Sequence, residues 1–396
     1  MFKPLFATLL VLLLALPVIA QPTTPGDEAA QTARYHSARS LLASPDGKLL
    51  AAVFNVMQRE AQGTRSVPVG MKVQVWDVAT GERKWSLERE GKAIASVQFS
   101  PNSSRLLFNW LKFGPGKNPV EGLQYTAQLY DAATGSSVVP LEMQAGEFIT
   151  AFLFTPDGKH IVNTMPQARP AADEEFSLGI GMWDAVSGKR LALIEDLEPQ
   201  IIMGFSRDGQ KIFGMSYKME GNKLLDSKLA VRSWPALQAI STVVPGKALA
   251  AKSAFSPDGK LVAMVSYPTD DILTAKEFEI GIWSLESGQI ENILTPEAVN
   301  FSVTELAFSP DSRSLIASGI VRRDDAPTGM ELWLWNVESG ALERTVNKEK
   351  TFGQNMAAGE LLTCLIPERK SFFITGEGGK VELRGLEEGA LVRSFE

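Results

Sequence analysis

Residues 255 to 267 read FSPDGKLVAMVSY, a tight turn followed by an apolar run. Proline presets φ near −65°, and Asp-Gly supplies a side-chain acceptor beside a residue free to take positive φ, so SPDG joins one strand to the next. The run from Leu261 is β-branched with little clean alternation, as expected of a strand covered on both faces. The same unit recurs as ASPDGKLL at Ala43, FSPNSSRLL at Phe99, FTPDGKHIV at Phe154, FSRDGQKIF at Phe205, FSPDSRSLI at Phe308 and LIPERKSFF at Leu365. That makes seven copies.

A second landmark gives the same count. An aromatic residue is followed after five positions by glycine at Trp76, Tyr130, Trp183, Trp283 and Trp335, with Trp234 as a degenerate sixth and Arg384 to Gly389 as a seventh. Two turns per repeat leave room for four short strands. A lone four-stranded sheet would leave both faces wet, and stacking such sheets around a ring covers the faces and leaves only short edges. The expected fold is all-β: a seven-bladed β-propeller of four-stranded antiparallel blades over residues 37–396.

The stretches VQVWDVATGE (Val73 to Glu82) and IGMWDAVSGK (Ile180 to Lys189), each following an SPDG-type turn, resemble the WD-repeat propeller family. The resemblance runs from residue 38 to 396 and implies the propeller fold and a platform role, with no common chemistry. The family's Gly-His pair occurs nowhere in this sequence, and Pro235, Ser284, Asn336 and Gly385 stand where Asp would follow the aromatic position.

From the turn Asp or its equivalent to the aromatic position the spacings are 30, 28, 26, 26, 25, 24 and 16 residues. The last repeat, whose middle strands are joined by GEGG (Gly376 to Gly379), serves as a ruler for a blade without insertion. The other six then carry 8 to 14 extra residues each, and removing them leaves about 42 residues per repeat, a usual propeller period. Six long second-to-third-strand loops on one face are the expected binding surface. Loops also lengthen by drift, since each doubling costs only ~0.6 kcal/mol of closure entropy. The loops, taken as 54–71, 109–126, 163–179, 216–228, 266–279 and 319–331, are mixed in charge, which suits a protein partner better than a phosphate backbone. Arg59, Arg65, Trp110, Lys112, Phe113, Tyr125, Tyr217, Tyr267, Arg322 and Arg323 are the expected contact residues, being largely aromatic or arginine.

Composition narrows the chemistry. With 39 Lys and Arg against 46 Asp and Glu, the net charge is −7, which excludes a basic nucleic-acid-binding surface. Two histidines and one cysteine exclude an intramolecular disulfide and Cys-rich or His-rich metal sites. No catalytic set, cofactor or metal site is expected. GFSRDG (Gly204 to Gly209) lacks the second in-register glycine of a nucleophile elbow, and Ser206 belongs to the repeated turn. Glu305 is the one carboxylate on the innermost-strand segments SVQF, AFLF, KSAF and ELAF, so a propeller enzyme or a small-molecule or metal binder using the central channel is the alternative.

Residues 1–20, MFKPLFATLLVLLLALPVIA, carry Lys3, an apolar run and small residues before Gln21, the pattern of a cleaved signal peptide. The apolar run is shorter than the ~20 residues of a membrane span. Residues 21–36 read as a flexible tether. The expectation is an extracytoplasmic, periplasmic or secreted monomer that acts as a non-catalytic protein- or peptide-binding scaffold.

Overall fold

The computed structural model describes residues 34–59, 66–112, 124–144, 152–166, 178–194, 201–220, 223–246, 252–266, 279–295, 301–323, 326–347, 362–375 and 380–396. The chain is all-β: seven four-stranded antiparallel sheets, each with its strands in chain order, make a seven-bladed β-propeller. Two compact units contain them, 1–197 with Phe395 and Glu396, and 198–394.

Blade one is β1 (Arg34–Ala43), β2 (Leu49–Arg59), β3 (Ser66–Asp77) and β4 (Arg83–Glu90). Its first strand starts inside the stretch read as tether. Blade two is β5 (Lys92–Phe99), β6 (Arg105–Lys112), β7 (Gln124–Asp131) and β8 (Ser137–Pro140). Blade three is β9 (Phe152–Phe154), β10 (His160–Pro166), β11 (Leu178–Asp184) and β12 (Arg190–Ile194). Blade four is β13 (Ile201–Phe205), β14 (Lys211–Glu220), β15 (Lys223–Ser233) and β16 (Ala239–Gly246). Blade five is β17 (Lys252–Phe255), β18 (Leu261–Ser266), β19 (Glu279–Ser284) and β20 (Ile290–Leu294). Blade six is β21 (Phe301–Phe308), β22 (Ser314–Arg323), β23 (Ala326–Asn336) and β24 (Leu342–Asn347). Blade seven is β25 (Thr363–Ile366), β26 (Ser371–Thr375), β27 (Val381–Gly385) and β28 (Leu391–Phe395).

The SPDG turn works as its residues dictate. In blade one the Ser44 hydroxyl donates to Asp46 Oδ1 at 2.7 Å and accepts the Leu49 N–H at 2.9 Å, while Asp46 Oδ1 accepts the Lys48 N–H at 3.0 Å. The same hydroxyl-to-carboxylate contact forms at Thr155–Asp157, Ser206–Asp208, Ser256–Asp258 and Ser309–Asp311. In the seventh copy, which has Glu368 at the Asp position, Pro367–Arg369 form a 3-10 turn closed by Lys370.

The second turn of each blade is where neighbouring blades clamp together. Trp85 on β4 donates its indole N–H to the Ala132 carbonyl of the next blade at 2.9 Å, and Asn292 on β20 reaches Val337 and Glu338 of the blade after it. Glycine is required there twice over: Gly135 has φ of +71°, and a Cβ on it would lie 2.6 Å from the Trp85 ring. Buried apolar clusters fill the space between successive blades in each unit. One joins Val53 and Val73 to Phe99 and Phe108; another joins Val265 and Ile282 to Trp333 and Trp335.

Blade four corrects the sequence reading. The turn residue at positive φ is Leu237, whose N–H bonds the Ser233 carbonyl, and Ile212 pairs with Arg232 just as Leu50 pairs with Trp76. Arg232, not Trp234, therefore occupies the aromatic-column position. Arg384 does the same in blade seven, and both guanidinium groups donate to the carbonyl five residues on, at Leu237 and Gly389. Trp234 instead packs edge-on against Phe205. The spacing in this blade becomes 24 residues, so its insertion is two shorter than expected.

Candidate functional site

Second and third strands grow past the length of the blade-seven pair in two different ways. In blades one, four and six the extra residues continue the ladder: β2 and β3 pair out to Arg59 with Ser66, β14 and β15 to Glu220 with Lys223, and β22 and β23 to Arg323 with Ala326. In blades two, three and five the described strands are shorter, and the connections at 113–123, 167–177 and 267–278 lie outside the described residues. The reading of 54–71, 216–228 and 319–331 as loops is thus corrected: the described residues of these stretches are strand. Alternating, β-branched sequence explains it; VPVGMKVQVW is a ladder-former apart from one irregularity.

That irregularity occurs twice. Pro68-Val69-Gly70-Met71 on β3 and Pro327-Thr328-Gly329-Met330 on β23 have the same pattern, and both hairpins carry a one-residue register shift there, Val56 pairing with Gly70 but Met57 with Pro68, and Val321 with Gly329 but Arg322 with Pro327. The bulge re-aims the hairpin end, and proline, unable to donate to a ladder, is tolerated beside it. In blade one the freed Val69 carbonyl accepts the Gly91 N–H at 2.9 Å.

The expected contact residues divide accordingly. Arg59 and Lys112 are exposed at strand ends. Trp110 and Tyr125 are not loop residues: they lie on β6 and β7, 4% and 7% exposed, each inside a core cluster. Tyr217 lies on β14 packed against the core cluster that includes Phe213 and Val243, and burial pushes the phenols of Tyr125 and Tyr217 up to about 12. An apolar sheet row claims these large rings before a partner can. Arg322 and Arg323 pair through their backbone with Pro327 and Ala326 at the end of the blade-six hairpin. Arg65, Phe113 and Tyr267 lie outside the described residues.

Sequence reading undervalued the first strands. Glu305 on β21 is withdrawn between blades six and seven, where its Oε2 accepts the Leu365 N–H of β25 at 2.8 Å and its carboxyl bonds Thr363. Burial is the largest influence and raises its pKa to about 8, against the opposing effects of the Leu365 N–H, Lys252 and Thr363. Around it, the hydroxyls of Thr304, Ser318 and Thr363 lie 2.6 to 3.1 Å from one another. Thr304 is a bulge residue, as are Arg39 on β1 and Ala95 on β5, each four places before the residue that precedes the turn. Burial thus disfavours the ionised form of the Glu305 carboxyl, and Gln98 makes a comparable neutral contact from blade two by accepting the Phe154 N–H at 3.0 Å. Among the described residues no three His, Cys, Asp or Glu side chains come together in a group able to hold a metal ion, and no helix is long and apolar enough to cross a membrane.

No family model matches the chain. Among solved structures it is similar to hydrazine synthase from Kuenenia stuttgartiensis, with a TM-score of 0.51 and 14% identity over 74% of this chain and 76% of that one. At that identity the likeness is one of fold.

Proposed function

We propose that the chain is an extracytoplasmic, WD-repeat-like interaction platform that binds a protein or peptide through the ends of its second-to-third-strand hairpins and catalyses no reaction. The observation that carries this reading is the one-sided growth of the blades. In blades one, four and six the hairpin runs on to Arg59–Ser66, Glu220–Lys223 and Arg323–Ala326, while every described SPDG-type turn stays tight. Ladder-paired hairpins present side chains on a rigid support, which lowers the ordering cost of binding. The propeller fold and the seven WD-like turn sets support the platform role; the first twenty residues support export.

The test begins with two trimmed hairpins, closed by Asn-Gly directly beyond the Asn55–Met71 and Ile320–Met330 pairs. Intact and trimmed proteins are used to capture partners from envelope and secreted fractions, and each captured protein is then purified and titrated directly. Tight binding by the intact protein, weakened at least tenfold by trimming at unchanged melting temperature, is the expected result. Equal binding by both proteins would sink the proposal.

A further inference from the structure

Between blades two and three the core has a polar centre. Strand alternation puts Asn109 on β6 between Leu107 and Leu111, and Asn163 on β10 between Ile161 and Met165, and those four apolar neighbours belong to one buried cluster. Both asparagines are 0% exposed. Register fixes their direction: Asn109 pairs with Ser96 and Ala127, Asn163 pairs with Phe152, and Ala127 and Phe152 are members of that same cluster. The two side chains therefore enter one interface from opposite sides.

At three other interfaces the corresponding positions are apolar: Val53 and Phe108 between blades one and two, Met215 and Met264 between four and five, Val265 and Ala317 between five and six. Where a polar residue does occupy this row, as Ser318 does in blade six, Thr304 and Thr363 satisfy it. In blade two the bulge residue is Ala95, which has no hydroxyl to give. Neither Asn109 Oδ1 nor Asn109 Nδ2 has a hydrogen-bond partner among the described residues. A fully buried amide left that way is strongly destabilising, and native proteins avoid it.

We propose that Asn109 and Asn163 wall an internal hydration site between blades two and three, in which ordered water bonds the Asn109 amide and links it to Asn163. An amide offers both a donor and an acceptor and carries no net charge, so it fits water better than an ion, and buried waters settle on polar groups of this kind.

Two measurements test it on the mature protein. A high-resolution crystal structure should show ordered water within about 2.7–3.2 Å of Asn109 Oδ1 or Nδ2. Asn109→Leu, which keeps the number and branching of the side-chain heavy atoms but removes the water's partner, should lower the melting temperature by several degrees, and Asn109→Ser, which can still bond water, should lower it less. A map showing the amides bonded directly to each other with no water, or an Asn109→Leu variant that melts higher than the native protein, would overturn the proposal. If Asn109→Leu fails to fold, the crystal map and Asn109→Ser still decide.

Discussion

Trp76 donates its indole N–H to the carbonyl of Glu396, 3.0 Å away and 320 residues later in the chain, and its ring meets Phe395 edge-on at 6.3 Å between centroids. Trp183 makes the counterpart contact with Glu142, at 2.8 Å, so Phe395 and the Glu396 that follows β28 give blade one the same clamp that the residues after β8 give blade three. Among the described residues no strand is exchanged: β1 to β4 and β25 to β28 form separate sheets. Ending the chain at Ser394 removes Phe395, which is 1% exposed, and should cost about 3–5 kcal/mol, as for other buried phenylalanines. Trp76→Phe, which keeps a ring beside Phe395 but loses the donor and some buried volume, should cost less, about 2 kcal/mol. Urea melts measure both, and equal losses would show that the hydrogen bond, not the packing, holds this contact.

The turn glycines should divide by what surrounds them. Gly188 has φ of +70° and faces the Pro140 carbonyl so closely that a Cβ would collide with backbone, whereas Gly91 has φ of +63° with nothing within 4 Å. Gly91→Ala should therefore cost only the left-handed conformation, about 1 kcal/mol, and Gly188→Ala appreciably more. Chemical denaturation of the two variants checks it; equal losses would mean that the clamp between blades two and three yields freely.

Blade number and turn chemistry were legible because each depends on local residues: Ser-Pro-Asp-Gly sets its own hydrogen bonds, and Gly five places after the aromatic position marks a positive φ. Blade four misled the eye because tryptophan is the expected column residue and Trp234 lies two places from it. Arg384 already showed that arginine can hold that position, which was the available signal for Arg232. Insertion length does not separate loop from strand, so Trp110 and Tyr125, expected in a loop, lie on strands; the apolar stretch LLFNWLK carries that signal. The clamp of Trp76 on Glu396 and the convergence of the Asn109 and Asn163 rows on one core cluster depend on which blades become neighbours, and no local pattern carries that.

Turn carboxylates should set the acid limit of stability. Hydrogen bonds from Ser206 and the Gln210 N–H hold Asp208 below its ordinary range, and those from the Ser187 hydroxyl and N–H do the same for Asp184. A carboxyl whose folded pKa is depressed adds stability above its unfolded value near 4 and loses it as pH falls through the folded value. The melting temperature should hold through mild acid and fall steeply below about pH 4. Asp208→Asn should remove part of that fall in a pH series of melts; an unchanged acid limb would show that this turn carries none of it.

Glu305 should act in the opposite direction and at higher pH. Its folded pKa is about 8, above the ordinary 4.5, chiefly because burial disfavours the ion. The folded protein therefore keeps a proton that the unfolded chain releases from about pH 4.5 upward, and the stability gained from it declines between there and about pH 8. Each pH unit in that window is worth up to about 1.4 kcal/mol. Glu305→Gln keeps an oxygen for the Leu365 N–H and cannot ionise, so relative to the native protein it should gain stability steadily from pH 5 to 8 and then level off. Lys252→Met removes the nearby positive charge that favours the carboxylate, so it should leave the onset of the decline in place and extend its upper end to higher pH. Urea unfolding across pH 4 to 9 measures all three proteins, and parallel profiles for native and Glu305→Gln would show that the carboxyl between blades six and seven is ionised throughout.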